Sequence, residues 1–242
     1  MSTVLVTGAN RGIGLEFVRQ YANDGAKVIA CARDPHHADD LKDLAAIYPA
    51  IDIRALDTSD FQMCAILGKE LGSAPIDILV NNAGYYGPKK QSANEMDFDG
   101  WAYTFAVNTM GPLALSQALH ENLKRGREKK LITITSGMAS TATTEGGYLA
   151  YRASKAAVNN VMRNLSVDWH NDGIIVSVLS PGWVRTDMGG AGAPLLPEQS
   201  VSGMRKVIAG LTLSNSGRFL NWDGGEREWV KAKHVVIGKD DL

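Results

Sequence analysis

The stretch Thr3-Val4-Leu5-Val6-Thr7-Gly8-Ala9-Asn10-Arg11-Gly12-Ile13-Gly14 runs a short β-branched strand pattern into a glycine-rich turn. A helical pattern over 12–24 follows at once. Glycines at such a turn permit a tight bend and let the backbone approach a pyrophosphate at the helix N-terminus. The spacing here is Gly-x-x-x-Gly-x-Gly rather than Gly-x-Gly-x-x-Gly, and a plain strand-to-helix turn is the alternative. The rest of the chain has to separate the two.

Strand patterns at 3–7, 27–32, 52–56, 77–80, 130–135, 174–179 and 218–221 alternate with helical stretches near 12–24, 39–47, 60–71, 98–124, 148–170 and 198–210. That alternation is the signature of βαβ units and a parallel sheet. Several of the strands are apolar almost throughout, as strands covered on both faces are. No linker, low-complexity segment or internal repeat interrupts the pattern. The expected fold class is α/β, a single doubly wound domain over 1–229 followed by a tail, 230–242. The tail carries Val235-Val236-Ile237 between charges, which reads either as a frayed terminus or as an edge strand or subunit contact.

Hydrophobic residues make up 45% of the 242, enough for a sizeable core. A formal net charge of −1 with interspersed signs argues against a nucleic-acid or anionic-membrane partner. No apolar run approaches the ~18 residues of a membrane span. The first strand begins without a charged leader and apolar h-region, so a cytoplasmic location is expected. Cys31 and Cys64 lie in unlike settings without metal-ligand spacing; inert thiols and no metal site are expected.

The chemistry-bearing segments begin where the strand patterns end, at Gly8, Arg33, Asp57, Asn81, Ser136 and Pro181. In an open parallel sheet the ligand crevice lies outside the carboxyl ends of the strands, so these six describe one cleft. Tyr151-Arg152-Ala153-Ser154-Lys155 puts a phenol and an ammonium on one helix face. A phenol ordinarily ionises near pH ~10, and a neighbouring positive charge draws that value down. Taken alone, the pair is equally a solvated surface. Pro112, four residues after Asn108, cannot donate to the Asn108 carbonyl, so a kink there is expected.

Thr7-Gly8-x-x-x-Gly12-x-Gly14, Asn81-Asn82-Ala83-Gly84, Tyr151-x-x-x-Lys155 and Pro181-Gly182, in that order, resemble the short-chain dehydrogenases/reductases over residues 1 to about 225. The resemblance implies a Rossmann-type fold with a seven-stranded parallel sheet that binds NAD or NADP. It implies hydride transfer to a carbonyl, with Tyr151 as acid/base, Ser136 orienting the carbonyl and Asn108 anchoring a relay water. Lys155 would lower the Tyr151 pKa and hold the nicotinamide ribose. Ser140 is the alternative serine. The cofactor is expected along Gly8, Asn10, Arg11, Gly12, Ile13 and Gly14, then Asp57, Thr58, Asn82, Ala83 and Gly84. Its nicotinamide end would meet Tyr151, Lys155, Pro181, Gly182, Val184 and Thr186.

NAD enzymes usually carry a carboxylate at the end of the second strand and NADP enzymes an arginine. Ala32 stands at the acid's place, Arg33 follows, and Arg11 adds a second guanidinium, which suits the 2′-phosphate of NADP(H). The alternative is an Arg33–Asp34 pair, or Asp34 as a ribose ligand. Arg185 and Asp187 are open to pairing with each other. Met138, Leu149, Trp183, Met188, Leu195 and Leu196, with Tyr85 and Tyr86 nearby, suggest a small apolar or aromatic carbonyl substrate.

The wording of 182–190 and 217–224 is similar to the C-factor-like and sniffer-like carbonyl reductase branch. A cofactor-binding signalling or sensor protein with little turnover is therefore the second hypothesis. An epimerase or dehydratase usually needs a larger C-terminal domain. The family's pairing of its two long helices implies a homodimer or homotetramer, with Ala150, Ala153, Ala156, Ala157 and Val158 as small packing faces.

Overall fold

Val4, Leu5 and Val6 are all fully buried, because strand β1 (Thr3–Thr7) is covered on both faces as its unbroken apolar run implies. The computed structural model describes residues 1–229, and the 230–242 tail with its Val235-Val236-Ile237 patch lies outside the described residues. Strands β1, β2 (Lys27–Ala32), β3 (Ile51–Ala55), β4 (Ile78–Asn81), β5 (Lys130–Ile134), β6 (Ile175–Ser180) and β7 (Phe219–Asn221) form one sheet. Their order is β3-β2-β1-β4-β5-β6-β7. Every neighbouring pair is parallel, as a Rossmann-type fold requires.

Alternate side chains of each strand feed two separate cores. Val4, Val6, Val28 and Val80 pack against α1 (Gly12–Asn23), α2 (Asp39–Ile47) and α8 (Pro197–Ala209), through Phe17, Leu41 and Met204. Leu5, Ile29, Leu79 and Leu131 pack on the other face against α3 (Phe61–Leu71), α5 (Gly111–Ala118), α6 (His120–Arg125) and α7 (Leu149–Asp168). The chain winds outward from β1 to β3, returns to β4 beside β1, and then runs the other way. Connections leave in opposite directions at that reversal and open a crevice above the carboxyl ends of β1 and β4. Both cysteines are free and buried, and burial pushes their thiol pKa values up, to about 12 for Cys31 and about 11 for Cys64.

The expected single helix over 98–124 is instead three helices. Between α4 (Phe98–Phe105) and α5 lies a π-helical turn, Ala106–Met110, in which the Gly111 amide bonds to the Ala106 carbonyl. Pro112, which has no N–H to give to Asn108, follows this wider turn directly as the second residue of α5. The helix breaks again at Leu119, between α5 and α6.

At the opposite edge of the sheet, Asp77 ties three segments together. Its carboxylate accepts from the Thr3 and Arg127 amides, each at 2.7 Å. Burial alone would raise its pKa, but the amides of Thr3, Arg127 and Glu128 hold it below the usual carboxylate range. A depressed carboxylate stabilises the fold above its unfolded pKa, and that stability is lost as pH falls through the folded value. Asp77→Ala is expected to lower unfolding free energy at neutral pH by roughly 2–4 kcal/mol, measured by urea denaturation. The gap to wild type should narrow below about pH 4; a gap that stays constant into acid would count against this origin.

Candidate active site

The phosphate-loop turn holds its shape through backbone contacts that exclude side chains. Gly8 has φ +63, and a Cβ there would sit 2.9 Å from the Ala83 Cα. A Cβ on Gly14 would overlap the Gly8 carbonyl. The Thr7 hydroxyl accepts from the Asn82 and Ala83 amides at 3.0 and 2.9 Å, and the Asn82 side chain donates to the Thr7 and Gly8 carbonyls at 2.9 and 3.2 Å. The first turn of α1 begins at Arg11 with no side-chain cap and no acidic residue, so its positive end opens on the cleft. Ile13 is partly buried against the core.

Sequence reasoning placed Arg11 and Arg33 together at the adenosine ribose; in the structure each side chain is bonded to a different partner. Arg11 pairs with Asp187 at 2.6 Å, because Gly12 lies against Thr186 and brings positions 11 and 187 together. Arg185 leaves Asp187 alone and donates to the Ala193 carbonyl. Arg33 does not pair with Asp34 either: its Nη1 reaches the Tyr103 hydroxyl of α4 at 3.2 Å. Asp34 accepts from His37 and the His36 amide, and the His37 bond keeps its pKa low. Arg33 is thus without a carboxylate partner among the described residues. Asp57 accepts from the Ser59 amide and hydroxyl, and Thr58 is buried under Gly111 of α5.

Tyr151 and Lys155 lie in the first turns of α7, both nearly fully buried. The α7 start has no side-chain cap of its own; Tyr148 ahead of it is left-handed, with φ 51. Gln91 serves instead. Its carbonyl accepts from the Leu149 amide at 3.2 Å, its side-chain oxygen accepts from the Tyr151 amide at 3.1 Å, and its Nε2 donates to the Tyr86 carbonyl at 3.0 Å. Tyr86 packs its ring 4.8 Å from that of Tyr151.

Ser136 lies two residues beyond β5 and faces Tyr151, while its oxygen accepts from the Met138 amide at 3.1 Å. Ser140 is occupied elsewhere, donating to the Glu228 carbonyl at 2.8 Å. The Lys155 ammonium donates to the Ile134 carbonyl at 3.0 Å and sits 5.9 Å from the Tyr151 ring centre. Gly84 lies beside both: a Cβ there would be 3.5 Å from Lys155 Nζ and 3.5 Å from Asn108 Oδ1. The sequence motifs at 81–84, 108, 136 and 151–155 therefore meet at one place.

Burial sets the electrostatics of this cluster. It pushes the Tyr151 phenol up to about 12, with Ser136 opposing and Tyr86 adding to the rise. The expected lowering by Lys155 is absent, the ammonium being bonded to the Ile134 carbonyl rather than to the phenol. Burial likewise lowers Lys155 to about 8.

Asn108, expected to act through its carbonyl, spends its side chain as a clamp. Oδ1 accepts from the Tyr85 amide and Nδ2 donates to the Tyr85 carbonyl, both at 2.8 Å, and Nδ2 also donates to the Ser154 hydroxyl at 2.9 Å. Thr109 adds a bond to the Ser154 carbonyl at 2.9 Å. Sequence reasoning missed Gln91 and Ser154, since neither carries a local signal.

Beyond Ser136 and Tyr151, the cleft mouth carries exposed apolar residues. Trp183 is 61% exposed and Met188 47%, with Leu149 and Leu196 also exposed and Met138 and Leu195 half-buried. The Trp183 indole donates to the Gly189 carbonyl at 2.8 Å, which folds 183–189 into a loop. Val184 is buried, Thr186 Oγ1 accepts from the Gly189 amide, and the Pro181 carbonyl accepts from Ser200.

A doubly wound parallel sheet with a glycine-lined, cation-flanked crevice at its strand reversal defines a dinucleotide-binding α/β protein. Residues 2–193 match the family model described as short chain dehydrogenase, and the chain belongs to that family. The chain is 42% identical to the C-signal protein of Myxococcus xanthus over 158 residues, 65% of this chain and 95% of that one. The structure is similar to the carbonyl reductase Sniffer of D. melanogaster, with TM-score 0.88 and 30% identity over 95% of this chain and 100% of that one. It is also similar to an NADPH-bound carbonyl reductase from chicken fatty liver, with TM-score 0.86 and 34% identity over 95% and 99%.

Asn108→Asp keeps the side-chain shape but sets a carboxylate oxygen against the Tyr85 carbonyl. Unfolding free energy should fall by about 2–4 kcal/mol, the cost of a buried polar mismatch. Chemical denaturation tests this, and a variant as stable as wild type would refute the clamp.

Proposed function

We propose that the protein is an NADPH-dependent carbonyl reductase that converts an aldehyde or ketone to its alcohol. The observation that carries this reading is the convergence of Ser136, Tyr151 and Lys155 at the cleft floor, beside a turn that admits only backbone at Gly8 and Gly14. The cofactor fits the residues present. The uncapped start of α1 suits the pyrophosphate, and Arg33 offers a guanidinium to a ribose 2′-phosphate. Arg11 could join it only by leaving Asp187. NADPH supplies the hydride that the carbonyl carbon receives.

Tyr151 donates its proton to the carbonyl oxygen, and the Ser136 hydroxyl fixes that oxygen beside it. At a pKa of about 12 the phenol stays protonated at neutral pH, which is the form reduction needs. The charged form of Lys155 stabilises the tyrosinate left behind, and it lies next to Gly84, where ribose hydroxyls can reach it. The Asn108 side chain holds the Tyr85 backbone and α7 in register, and its main-chain carbonyl is the group proposed to anchor a relay water. The exposed apolar rim of Trp183, Met188, Leu149 and Leu196 suits an apolar or aromatic substrate body.

The second reading, a cofactor-binding signalling protein with little turnover, draws on the identity to C-signal. The buried acid/base set argues for turnover, since burying Lys155 and Tyr151 costs stability that a pure sensor has no need to lose. Homo-oligomerisation through the outer faces of α4 to α7 is part of the proposal. Ala153, Ala156 and Ala157 are half-buried and available to such a contact, whereas Ala150 and Val158 are already buried within the chain.

Tyr151→Phe should lose at least ~100-fold in turnover of a panel of aldehydes while still binding NADPH. Near-normal NADPH oxidation by that variant would overturn the assignment. The pH profile gives a separate check. Loss of the Lys155 proton removes the charge that supports proton donation, so kcat/KM for NADPH should fall as pH rises through about 8. A profile flat to about pH 10, where an ordinary lysine begins to titrate, would contradict it.

A further inference from the structure

After β7 the chain turns back over the carboxyl edge of the sheet. The Arg227 amide donates to the Phe219 carbonyl at 2.8 Å, and Leu220 pairs with Glu226 in an antiparallel bridge. Trp222 lies against the Pro181-Gly182 turn, where a Cβ on Gly182 would meet the indole at 3.0 Å. At the other end, the Glu228 carbonyl accepts from Ser140, in the loop that follows Ser136. This hairpin therefore spans the two segments that flank the reacting end of the cleft.

Its one cation is Arg227. The residue after Ser136 is Gly137, and a Cβ there would lie 2.9 Å from Arg227 Nη1. The guanidinium thus fills the volume that a side chain at position 137 would take, one residue from the serine that faces Tyr151. Arg227 is half-buried, and its Nε donates to a neutral acceptor, Asn221 Oδ1, at 3.0 Å. Of the three acids of the hairpin, Asp223 accepts from the Gly225 amide, Glu226 pairs with Arg218, and Glu228 is exposed and makes no ion pair with Arg227. Among the described residues no carboxylate pairs with Arg227.

We propose that Arg227 determines substrate specificity by binding an anionic group, a carboxylate, carried by the carbonyl substrate. The planar fork of Nη1 and Nη2 matches a carboxylate in two parallel hydrogen bonds. Met138, next to Gly137, and Tyr86, whose ring packs on Tyr151, offer apolar surface at the two ends of such a body, so the substrate class is an aromatic or long-chain oxo acid. A half-buried guanidinium discriminates well, because an analogue lacking the anion leaves it desolvated without a partner. The inference rests on the reductase reading and narrows it from carbonyl compounds in general to acids.

The test measures NADPH oxidation by the full chain with para- and meta-carboxybenzaldehyde and with their methyl esters. Wild type should prefer at least one acid over its ester by about tenfold or more in kcat/KM, chiefly through KM. Arg227→Met should bring that ratio close to one, and Arg227→Gln should follow it. Benzoate should compete with aldehyde in wild type and benzamide should not, a measurement that needs no variant. Equal or better use of the esters by wild type, an acid preference that survives Arg227→Met, or equal inhibition by benzoate and benzamide would each overturn the Arg227 assignment. In those cases ester turnover would leave the reductase reading standing; silence with all four aldehydes would count against both.

Discussion

One buried amide holds the site together. Asn108 bonds to both backbone groups of Tyr85 and to Ser154 of α7, so three segments far apart in sequence meet on a single side chain. Buried polar groups must find partners, and this one exhausts its donors and an acceptor on structure. The height of α7, and with it the placing of Tyr151 and Lys155, depends on that clamp. The π-helical turn at Ala106–Met110 gives Asn108 its place, since a regular helix would carry the side chain on a different bearing.

The same burial that orders the pair also sets its chemistry. With little water nearby, charge is disfavoured on either group, so the phenol rises and the ammonium falls. The two groups therefore move apart and exchange their ordinary order, the phenol becoming the weaker acid. At neutral pH the phenol is held neutral while the lysine changes charge at a lower pH than an exposed lysine at the same spacing would.

Much of the fold was legible because it rests on local pattern. Strands covered on both faces are unbroken apolar runs, and β1, β2 and β4 announce themselves so. Motif residues at strand ends were legible for the same reason, and Ser136, Tyr151, Lys155 and Gly84 do converge. What local pattern does not carry is the partner of a long side chain. Arg11 finds Asp187 across 176 positions, and Arg33 finds Tyr103 across 70. The expected helix over 98–124 failed likewise, because Pro112 signals a break but only tertiary packing decides which turn widens. Gln91 has no sequence signature, since an uncharged residue in a loop shows its importance only when α7 is found to lack a cap.

The hairpin of residues 219–229 stands outside the hydrogen-bond chain that runs from Gln91 through Tyr151 and Ser154 to Asn108. Its bonds to the loop after β5 are made to Ser140 and Thr141, not to Ser136 or Tyr151. Substitutions along this hairpin can therefore accumulate without touching the bonds that hold Tyr151 and Lys155 in place. A lineage built on this arrangement is free to rework the 219–229 hairpin while inheriting unchanged the hydrogen-bonded heart of the cleft.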